Sequence, residues 1–285
     1  MSSQRTTILA GCLSALLAGC GGAGTQSPTA AHTSLVPTAV ARGVATIQIP
    51  PRRHTASARR RPDWVSSATQ SIAITAQRAS DGYSDSSYMT LTPTSNGCTL
   101  LPTGVTLCQV PFNAPPDAGA DTDLITVTLI DAPDVNRGRV VGFAAVTQAI
   151  VADATNPLNI VVGGVVGTIT LGSVTNPTVI AASPATVAIP VSFQDIDNVT
   201  IGGVLDAPVS VAISGSAASS FSIIPASQAS IADPTTLANS QVAITYAGNA
   251  TSGQSATVTF TTTSAQTLQL NGGNPVNQTF TINVQ

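Results

Sequence analysis

The side chains that most often act as acids and bases in enzymes are scarce in this sequence. It contains two histidines, His32 and His54, no lysine and no glutamate, and its acidic residues are thirteen aspartates. A hydrolytic nucleophile needs a neighbouring base. Both histidines precede the region in which a fold is predicted, so no Ser-His-Asp triad can be assembled there. Paired aspartates can hydrolyse glycosides, but no aspartate lies in an apolar sequence setting that would raise its pKa. The sequence therefore predicts a protein without enzymatic activity and without a cofactor.

Oxygen ligands for a metal occur in two short aspartate-rich segments. Zinc and iron sites need clusters of His or Cys, which the sequence lacks, whereas calcium takes several converging oxygens. One segment spans residues 117–123, and the other contains Asp195, Asp197 and Asn198. Neither has the spacing of an EF-hand loop, and Asp and Asn also cap turns through their own backbone. A calcium site at Asp195, Asp197 and Asn198 and a simple turn are both open interpretations.

Exposed aromatic rings can provide a surface for carbohydrate. The chain has one tryptophan, Trp64, and three tyrosines, of which Tyr83 and Tyr88 flank Asp85 in a polar segment. Either these two rings contact a sugar or they pack over the edge of a domain. Carbohydrate binding is therefore an alternative function.

The N-terminus has the pattern of a secretory signal peptide. Arg5 is followed by an apolar run from Ile8 to Leu17 and then by Leu17-Ala18-Gly19-Cys20, which gives a basic start, a short apolar segment and small residues before a cleavage point. The last four residues resemble the lipobox of bacterial lipoproteins. This resemblance implies cleavage before Cys20, acylation of Cys20 with fatty acids such as palmitate, and anchoring to the bacterial cell envelope, at the outer membrane or the cell surface.

An export signal determines what is expected of the four cysteines. Cys12 is lost with the signal peptide and Cys20 carries the lipid, which leaves Cys98 and Cys108 in a compartment that permits disulfides. These two residues lie symmetrically about a turn at Pro102-Thr103-Gly104. A hairpin there would place them opposite each other within bonding range. We predict a Cys98–Cys108 disulfide.

A run of arginines separates the N-terminus from the predicted fold. Its members are Arg52, Arg53, Arg59, Arg60 and Arg61. Beside a lipid anchor they would meet anionic headgroups or an anionic envelope polymer, and the alternative is a solvated linker. Residues 62–285 hold three of the ten arginines and all thirteen aspartates. Because this body is acidic, it would repel nucleic acid.

The remainder of the sequence alternates apolar and polar residues with the period of β-strands. Alternation is clear over 71–75 and 124–130 in the first half, and over 187–193, 242–246 and 256–260 in the second. Short strands separated by Gly, Pro, Asn and Ser turns are typical of β-sandwiches. After the signal peptide, no apolar run approaches the ~20 residues of a membrane span. We predict an all-β fold of two tandem immunoglobulin-like antiparallel β-sandwiches.

These patterns divide the chain into four segments. They are a lipoprotein signal peptide over 1–19, a Gly/Ser/Pro- and Arg-rich tether over 20–63, a first β-sandwich over 64–175 and a second over 176–285. Within the tether, Val44–Ile49 alternates and could pair as an edge strand.

Two further resemblances concern the predicted domains. The stretch Val191–Val211, with its turn at Asp195-Ile196-Asp197-Asn198, resembles bacterial immunoglobulin-like domains, which implies a sandwich for the second domain. Residues 40–170, with Ile49-Pro-Pro-Arg-Arg53, the cysteine pair and Gly163-Gly164-Val165-Val166, are similar to a group of uncharacterised bacterial lipoproteins, a resemblance that implies no activity.

The interpretation that joins these observations is a non-enzymatic cell-envelope lipoprotein that acts as a structural or interaction module. Its expected partners are the membrane, through the lipid, and an anionic envelope polymer or a host or neighbouring surface, but not nucleic acid. The alternative is an adhesin or carbohydrate-binding surface protein that uses the loops at the ends of the sandwiches.

Overall fold

The alternating sequence segments form strands in two β-sandwiches. The structure, a computed structural model, describes residues 41–51, 65–114, 122–151, 154–173 and 177–285. Almost all regular structure in these residues is β, and the strands pair into four sheets that are mainly antiparallel. This arrangement confirms the predicted all-β fold of tandem immunoglobulin-like sandwiches.

The first sandwich contains nine strands. They are β1 (Ala41–Ile49), β2 (Ser71–Arg78), β3 (Ser84–Thr90), β4 (Cys98–Leu100), β5 (Thr106–Ala114), β6 (Asp123–Ile130), β7 (Val140–Gln148), β8 (Thr155–Leu158) and β9 (Gly163–Gly164). One sheet has the order β4-β5-β1-β8 and the other has the order β3-β2-β6-β7-β9. Alternate residues of β5 and β6 are buried, as expected for strands with one face on a core.

Strand β1 corrects the predicted extent of the tether. Residues 41–49 lie inside the four-stranded sheet, antiparallel to β5 over the whole strand and parallel to β8 over Arg42–Ala45. Every second residue of β1 is buried. The inward positions include two alanines and Gly43, and such small residues give only a weak hydrophobic alternation. The segment therefore looked like an edge strand in a linker, although it is a central strand.

The second sandwich also contains nine strands. They are β10 (Thr168–Leu171), β11 (Thr178–Val179), β12 (Ala185–Gln194), β13 (Val209–Ser214), β14 (Phe221–Ile223), β15 (Ser230–Ile231), β16 (Gln241–Tyr246), β17 (Ser255–Thr262) and β18 (Val276–Val284). Its sheets have the orders β10-β12-β16-β14 and β11-β18-β17-β13-β15. The first order is the ABED sheet of an immunoglobulin domain, and β13, β17 and β18 form the CFG sheet. Phe193, Tyr246 and Phe260 fill the core between these sheets.

Helical structure in the described residues is short. It comprises α1 (Ala265–Leu270) and four 3-10 segments, at Ala218–Ser220, Ala226–Ala229, Pro234–Thr236 and Ala238–Ser240. Helix α1 begins after Ser264, whose Oγ accepts a hydrogen bond of 2.9 Å from the N–H of Thr267, a standard N-cap. Across the described ranges, no helix has both the length and the apolar character needed to cross a membrane.

The chain passes from the first sandwich to the second at residues 165–167, earlier than the predicted boundary at residue 175. Strand β9 pairs with β7 in the first sandwich, whereas β10 pairs with β12 in the second. The prediction placed β10 in the wrong sandwich because alternation identifies a strand but not the sheet that it joins.

Candidate functional site

The two sandwiches meet in a region that we call the joint. It comprises residues 163–167, the loops 195–199 and 204–206, Ser264 and Thr267 at the start of α1, and Ser66, Asp131 and Arg139 from the first sandwich. The described residues belong to one compact unit. Neighbouring domains move relative to each other unless a large interface holds them together. The contacts in the joint therefore determine whether the two sandwiches move independently.

A main-chain hydrogen-bond ladder crosses the joint. Gly163 and Gly164 pair with β7, and Gly164 also forms a bridge with Leu205 of the second sandwich. The N–H of Gly164 donates to the carbonyl of Val204 at 2.9 Å, and the N–H of Asp206 donates to the carbonyl of Gly164 at 3.0 Å. A Cβ on Gly163 would stand 2.5 Å from the backbone of Leu205. The two glycines therefore allow the backbones of the two sandwiches to approach directly.

Asp195, one of the predicted calcium ligands, is fully buried in the joint. Its Oδ2 accepts a hydrogen bond of 2.5 Å from Ser66 Oγ in the first sandwich. Its Oδ1 accepts hydrogen bonds from the N–H groups of Asp197, at 2.9 Å, and Val199, at 2.8 Å. Burial raises the pKa of Asp195, and these three hydrogen bonds oppose that shift. The carboxyl group holds its own turn and the first sandwich together.

Asp197 takes part in a second polar contact across the joint. Arg139 of the first sandwich donates from Nη2 to Asp197 Oδ1 at 2.6 Å and from Nε to Asp131 Oδ2 at 2.8 Å. Burial and then the charge of Asp131 raise the pKa of Asp197, while Arg139 lowers it. Two carboxylates thus share one guanidinium, whose side chain is 52% exposed.

The geometry around Asp195, Asp197 and Asn198 is that of a capped turn. The N–H of Asn198 donates to the carbonyl of Asp195, and Asn198 has a φ of 61°, a left-handed conformation that Asn tolerates well. The Asp195 oxygens and Asp197 Oδ1 already bind protein donors, and the described residues contain no group of three or more His, Cys, Asp or Glu side chains that could hold a metal ion. The calcium interpretation therefore has no support here.

The other aspartate-rich segment, residues 117–123, is described only in part. Asp123 is buried in β6, while residues 117 and 121 lie outside the described residues.

Asp206 is a partly buried acid of the joint that the sequence analysis missed. Its Oδ1 atom is buried and has no hydrogen-bond partner among the residues that the structure describes. Burial raises the pKa of Asp206 to about 6. The expectation that no aspartate has a raised pKa was therefore wrong for Asp195, Asp197 and Asp206. Their burial comes from tertiary contacts at the joint, which their sequence neighbours do not reveal.

The predicted disulfide between Cys98 and Cys108 is confirmed. The two residues are directly opposite each other in the β4–β5 pair, and their Cα atoms are 4.0 Å apart. Cys108 is fully buried. The bond therefore ties the short edge strand β4 to the core of the first sandwich.

Of the two candidate sugar-binding tyrosines, Tyr88 lies beside a cleft. Tyr88 is 61% exposed on edge strand β3 and borders a cleft of about 470 Å³, together with Met89, Asn96, Gln109 and Pro111. None of the described residues that line this cleft is charged. A smaller depression of about 180 Å³ lies along Tyr88, Met89 and Thr90, towards Pro133 and Asp134.

Tyr83 lines neither depression. It is 51% exposed just before β3, and its ring centroid lies 6.0 Å from the guanidinium carbon of Arg78. The structure therefore does not bring Tyr83 and Tyr88 together around one cleft.

The N-terminal predictions concern residues that the structure does not describe. Cys20, Trp64, both histidines and the arginines at 52, 53, 59, 60 and 61 lie outside the described residues. The lipidation site and the basic surface remain predictions from sequence.

Comparison with known proteins adds little to these observations. No protein-family model matches the chain, and no curated protein matches it. One solved chain to which it is similar comes from the crystal structure of Dpr2 Ig1-Ig2 in complex with DIP-Theta Ig1-Ig3. That match has 10% identity and a TM-score of 0.21, and covers 86% of this chain and 94% of the other. A TM-score of 0.21 supports no conclusion about fold or function.

Proposed function

We propose that this chain is a non-enzymatic lipoprotein of the bacterial cell envelope. In this proposal its two sandwiches act as a structural or interaction module that the lipid on Cys20 holds near the membrane. The arginines at 52, 53, 59, 60 and 61 lie between that lipid and β2, where anionic headgroups or envelope polymers would attract them.

The joint is the observation that supports the structural or interaction module in this proposal. A main-chain ladder through Gly164 and two side-chain contacts, from Ser66 to Asp195 and from Arg139 to Asp197, link the sandwiches without an intervening flexible linker. Such a connection suits a module that presents a surface at a fixed distance from its anchor. The aspartates with raised pKa values lie in this joint rather than in the Tyr88 cleft, which supports a structural role for them over a catalytic one.

Replacement of Cys20 tests the envelope anchor, with Cys12 as the matched control. Cys20→Ala should remove palmitate labelling and move the protein out of the membrane fraction, because this residue carries the proposed lipid. Cys12→Ala changes a cysteine of the signal peptide and should leave both properties as in the wild type. A Cys20→Ala protein that remains labelled and bound to membranes would refute the anchor.

Carbohydrate binding is a second candidate function, favoured by the cleft beside Tyr88. An exposed ring can pack on the C–H face of a sugar, and the amides of Asn96 and Gln109 can donate to and accept from its hydroxyl groups. Because the described lining is uncharged, the ligand that fits is a neutral glycan.

A pair of tyrosine variants tests this candidate. Tyr88→Ala should lower the affinity for a neutral polysaccharide about tenfold or more, since it removes the ring beside the cleft. Tyr83→Ala removes an equally large exposed ring outside the cleft and should leave the affinity unchanged. Equal effects of the two substitutions, or the absence of binding by the wild type to a panel of neutral glycans, would exclude the cleft as a glycan site.

A further inference from the structure

The second sandwich leaves most of one long strand edge unpaired. Strand β18 pairs with β17 over Val276–Asn283 on one side, whereas on its other side β11 pairs only with Asn283 and Val284. Among the described residues, no strand pairs with Val276–Ile282 on that second side. An unpaired strand edge presents N–H and C=O groups to which another strand can bind.

The hydrogen bonds at the end of β18 show which backbone groups face this edge. The N–H of Asn283 donates to the carbonyl of Pro177, on the β11 side. The N–H of Val284 donates to the carbonyl of Gln254, on the β17 side. Successive residues of a paired strand direct their backbone groups to opposite sides. The N–H and C=O groups that face the unpaired edge are therefore those of Asn277, Thr279 and Thr281.

The other edge strands of the described residues are protected in ways that β18 is not. Strands β4, β8, β9, β10, β11, β14 and β15 have four residues or fewer. Strand β3 is longer, but its Asp85 points to the inner face, since it lies opposite the buried Ala76. Short edges and inward charges prevent pairing with another chain. Val276–Ile282 is longer than those short edges and contains neither a charged residue nor a proline.

The unpaired edge of β18 matches a second copy of itself in length. It begins at Val276, directly after Pro275, and ends at Ile282, just before the residues that pair with β11. Thr279 lies at its centre. In an antiparallel pair with Thr279 opposite the same residue of a second copy, Val276 lies opposite Ile282 of that copy. Each β18 then begins just before the point where β11 of the other copy takes up the edge, and all the outward backbone groups are paired about a two-fold axis.

Apolar side chains beside this edge are incompletely covered. Val276 and Phe280 point to the inner face of β18, yet they are only half-buried, whereas Ile282 on the same face is fully buried. Leu171 of β10, a strand that lies close to β18, is also half-buried. In the antiparallel pair, Val276 lies beside Ile282 of the second copy and Phe280 lies beside Gln278 of that copy. The pairing therefore removes apolar surface from water.

The distribution of charge favours a second copy on this side of the molecule. Residues 62–285 hold three arginines and thirteen aspartates, so two copies repel each other in most orientations. Residues 168–194 and 234–285, which include β10, β11, α1 and β18, contain no charged side chain. Two identical acidic molecules can therefore approach through this side with little electrostatic cost.

We propose that β18 pairs edge to edge with β18 of a second copy and forms a two-fold dimer with one continuous sheet across both second sandwiches. The dimer goes beyond the proposed envelope function and requires neither the lipid nor a glycan. About seven residues of each copy take part, compared with roughly 20–30 in a standard interface. The dimer is therefore weak, with a dissociation constant between about 1 µM and 1 mM.

Sedimentation equilibrium of the full mature chain with Cys20→Ser, which carries no lipid, tests the dimer. Its average mass should rise from one chain towards two as the concentration increases to about 1 mM. Thr279→Lys places two like charges opposite each other at the axis and should weaken dimerisation at least tenfold. Thr259→Lys is the matched control, since Thr259 is the cross-strand neighbour of Thr279 on β17. Its side chain lies on the same outer face one strand farther from the axis, and the variant should dimerise as the parent chain does.

Cysteine cross-linking tests the register of the pair without requiring a loss of binding. At residue 279 the Cα atoms of the two copies should be about 5.5 Å apart, whereas at residue 259 they should be about 15 Å apart, three strand spacings. A bis-maleimide with a short spacer should therefore join two copies of Thr279→Cys and leave Thr259→Cys as single chains.

Three results would overturn the dimer. They are a parent chain that remains monomeric up to about 1 mM, equal dimerisation of Thr279→Lys and Thr259→Lys, and equal cross-linking of the two cysteine variants. Thermal unfolding of both lysine variants provides the control for folding. If Thr279→Lys does not fold, the cross-linking of the cysteine variants decides between pairing and no pairing.

Discussion

Among single residues, Gly43 shows how closely the core of the first sandwich is packed. Gly43 on β1 is the cross-strand neighbour of Phe112 on β5. The Phe112 ring covers the glycine so closely that a Cβ on Gly43 would stand 2.0 Å from its Cζ. Aromatic residues often cover a glycine on the neighbouring strand in this way. The space that a side chain would fill at position 43 is therefore already occupied by Phe112.

We expect Gly43→Ala to destabilise the protein by about 1–3 kcal/mol, because the added methyl group forces the Phe112 ring out of a filled core. Thermal unfolding of single and double variants measures this effect. In a Phe112→Leu background, the smaller side chain leaves room, so Gly43→Ala should cost clearly less than in the wild type. Additive effects of the two substitutions would show that the ring and the glycine are not coupled.

The aspartates of the joint show what cannot be read from a single position in the sequence. The turn at Asp195-Ile196-Asp197-Asn198 was correctly recognised as a candidate turn, because its residue types act locally. Nothing in that turn indicates that Ser66 would bind Asp195 Oδ2, or that Gly164 would lie against Asp206. Those contacts join residues far apart in the sequence, and they determine burial and therefore the pKa values.

At the scale of elements, local pairings were predictable and distant ones were not. The Cys98–Cys108 pair follows from a short hairpin, in which the turn fixes which residues face each other. Strand β1 instead pairs with β5 and β8, which are distant in the sequence. The alternation of apolar and polar residues in β1 does not indicate which distant strands it will pair with. For the same reason, the predicted boundary at residue 175 places β10 in the wrong sandwich.

The central position of β1 predicts the outcome of N-terminal truncation. A chain that begins at residue 40 should retain the first sandwich, whereas a chain that begins at residue 52 should lose it, because β5 and β8 are then left without the strand between them. Circular dichroism and cooperative thermal unfolding would compare the two chains. If residues 20–63 are only a tether, both truncated chains will unfold cooperatively at the same temperature.

At the scale of the whole molecule, the acids with raised pKa values are concentrated in the joint. Asp195, Asp197 and Asp206 each have a folded-state pKa above the ordinary value of 3.8. Between that value and their raised pKa values, the folded protein binds more protons than the unfolded chain. The free energy of unfolding contributed by these groups therefore falls as the pH rises through this window, up to about pH 6 for Asp206.

Arg139 limits this loss of stability, because its charge lowers the pKa of Asp197. Arg137 lies in the same segment of the chain and provides a matched control. Arg139→Gln removes the cation that lowers the pKa of Asp197 and leaves Asp131 and Asp197 facing each other. It should destabilise the protein by about 1 kcal/mol at pH 7.5, since a half-exposed ion pair is partly screened by solvent. At pH 5 the deficit should shrink, because a larger fraction of Asp197, whose pKa is raised, is neutral there and no longer repels Asp131. Arg137→Gln removes an ion pair with Asp134 in which the arginine is 85% exposed, and it should change the unfolding temperature little at either pH. A deficit for Arg139→Gln that is equal at both pH values would show that the protonation of Asp197 does not control this contact.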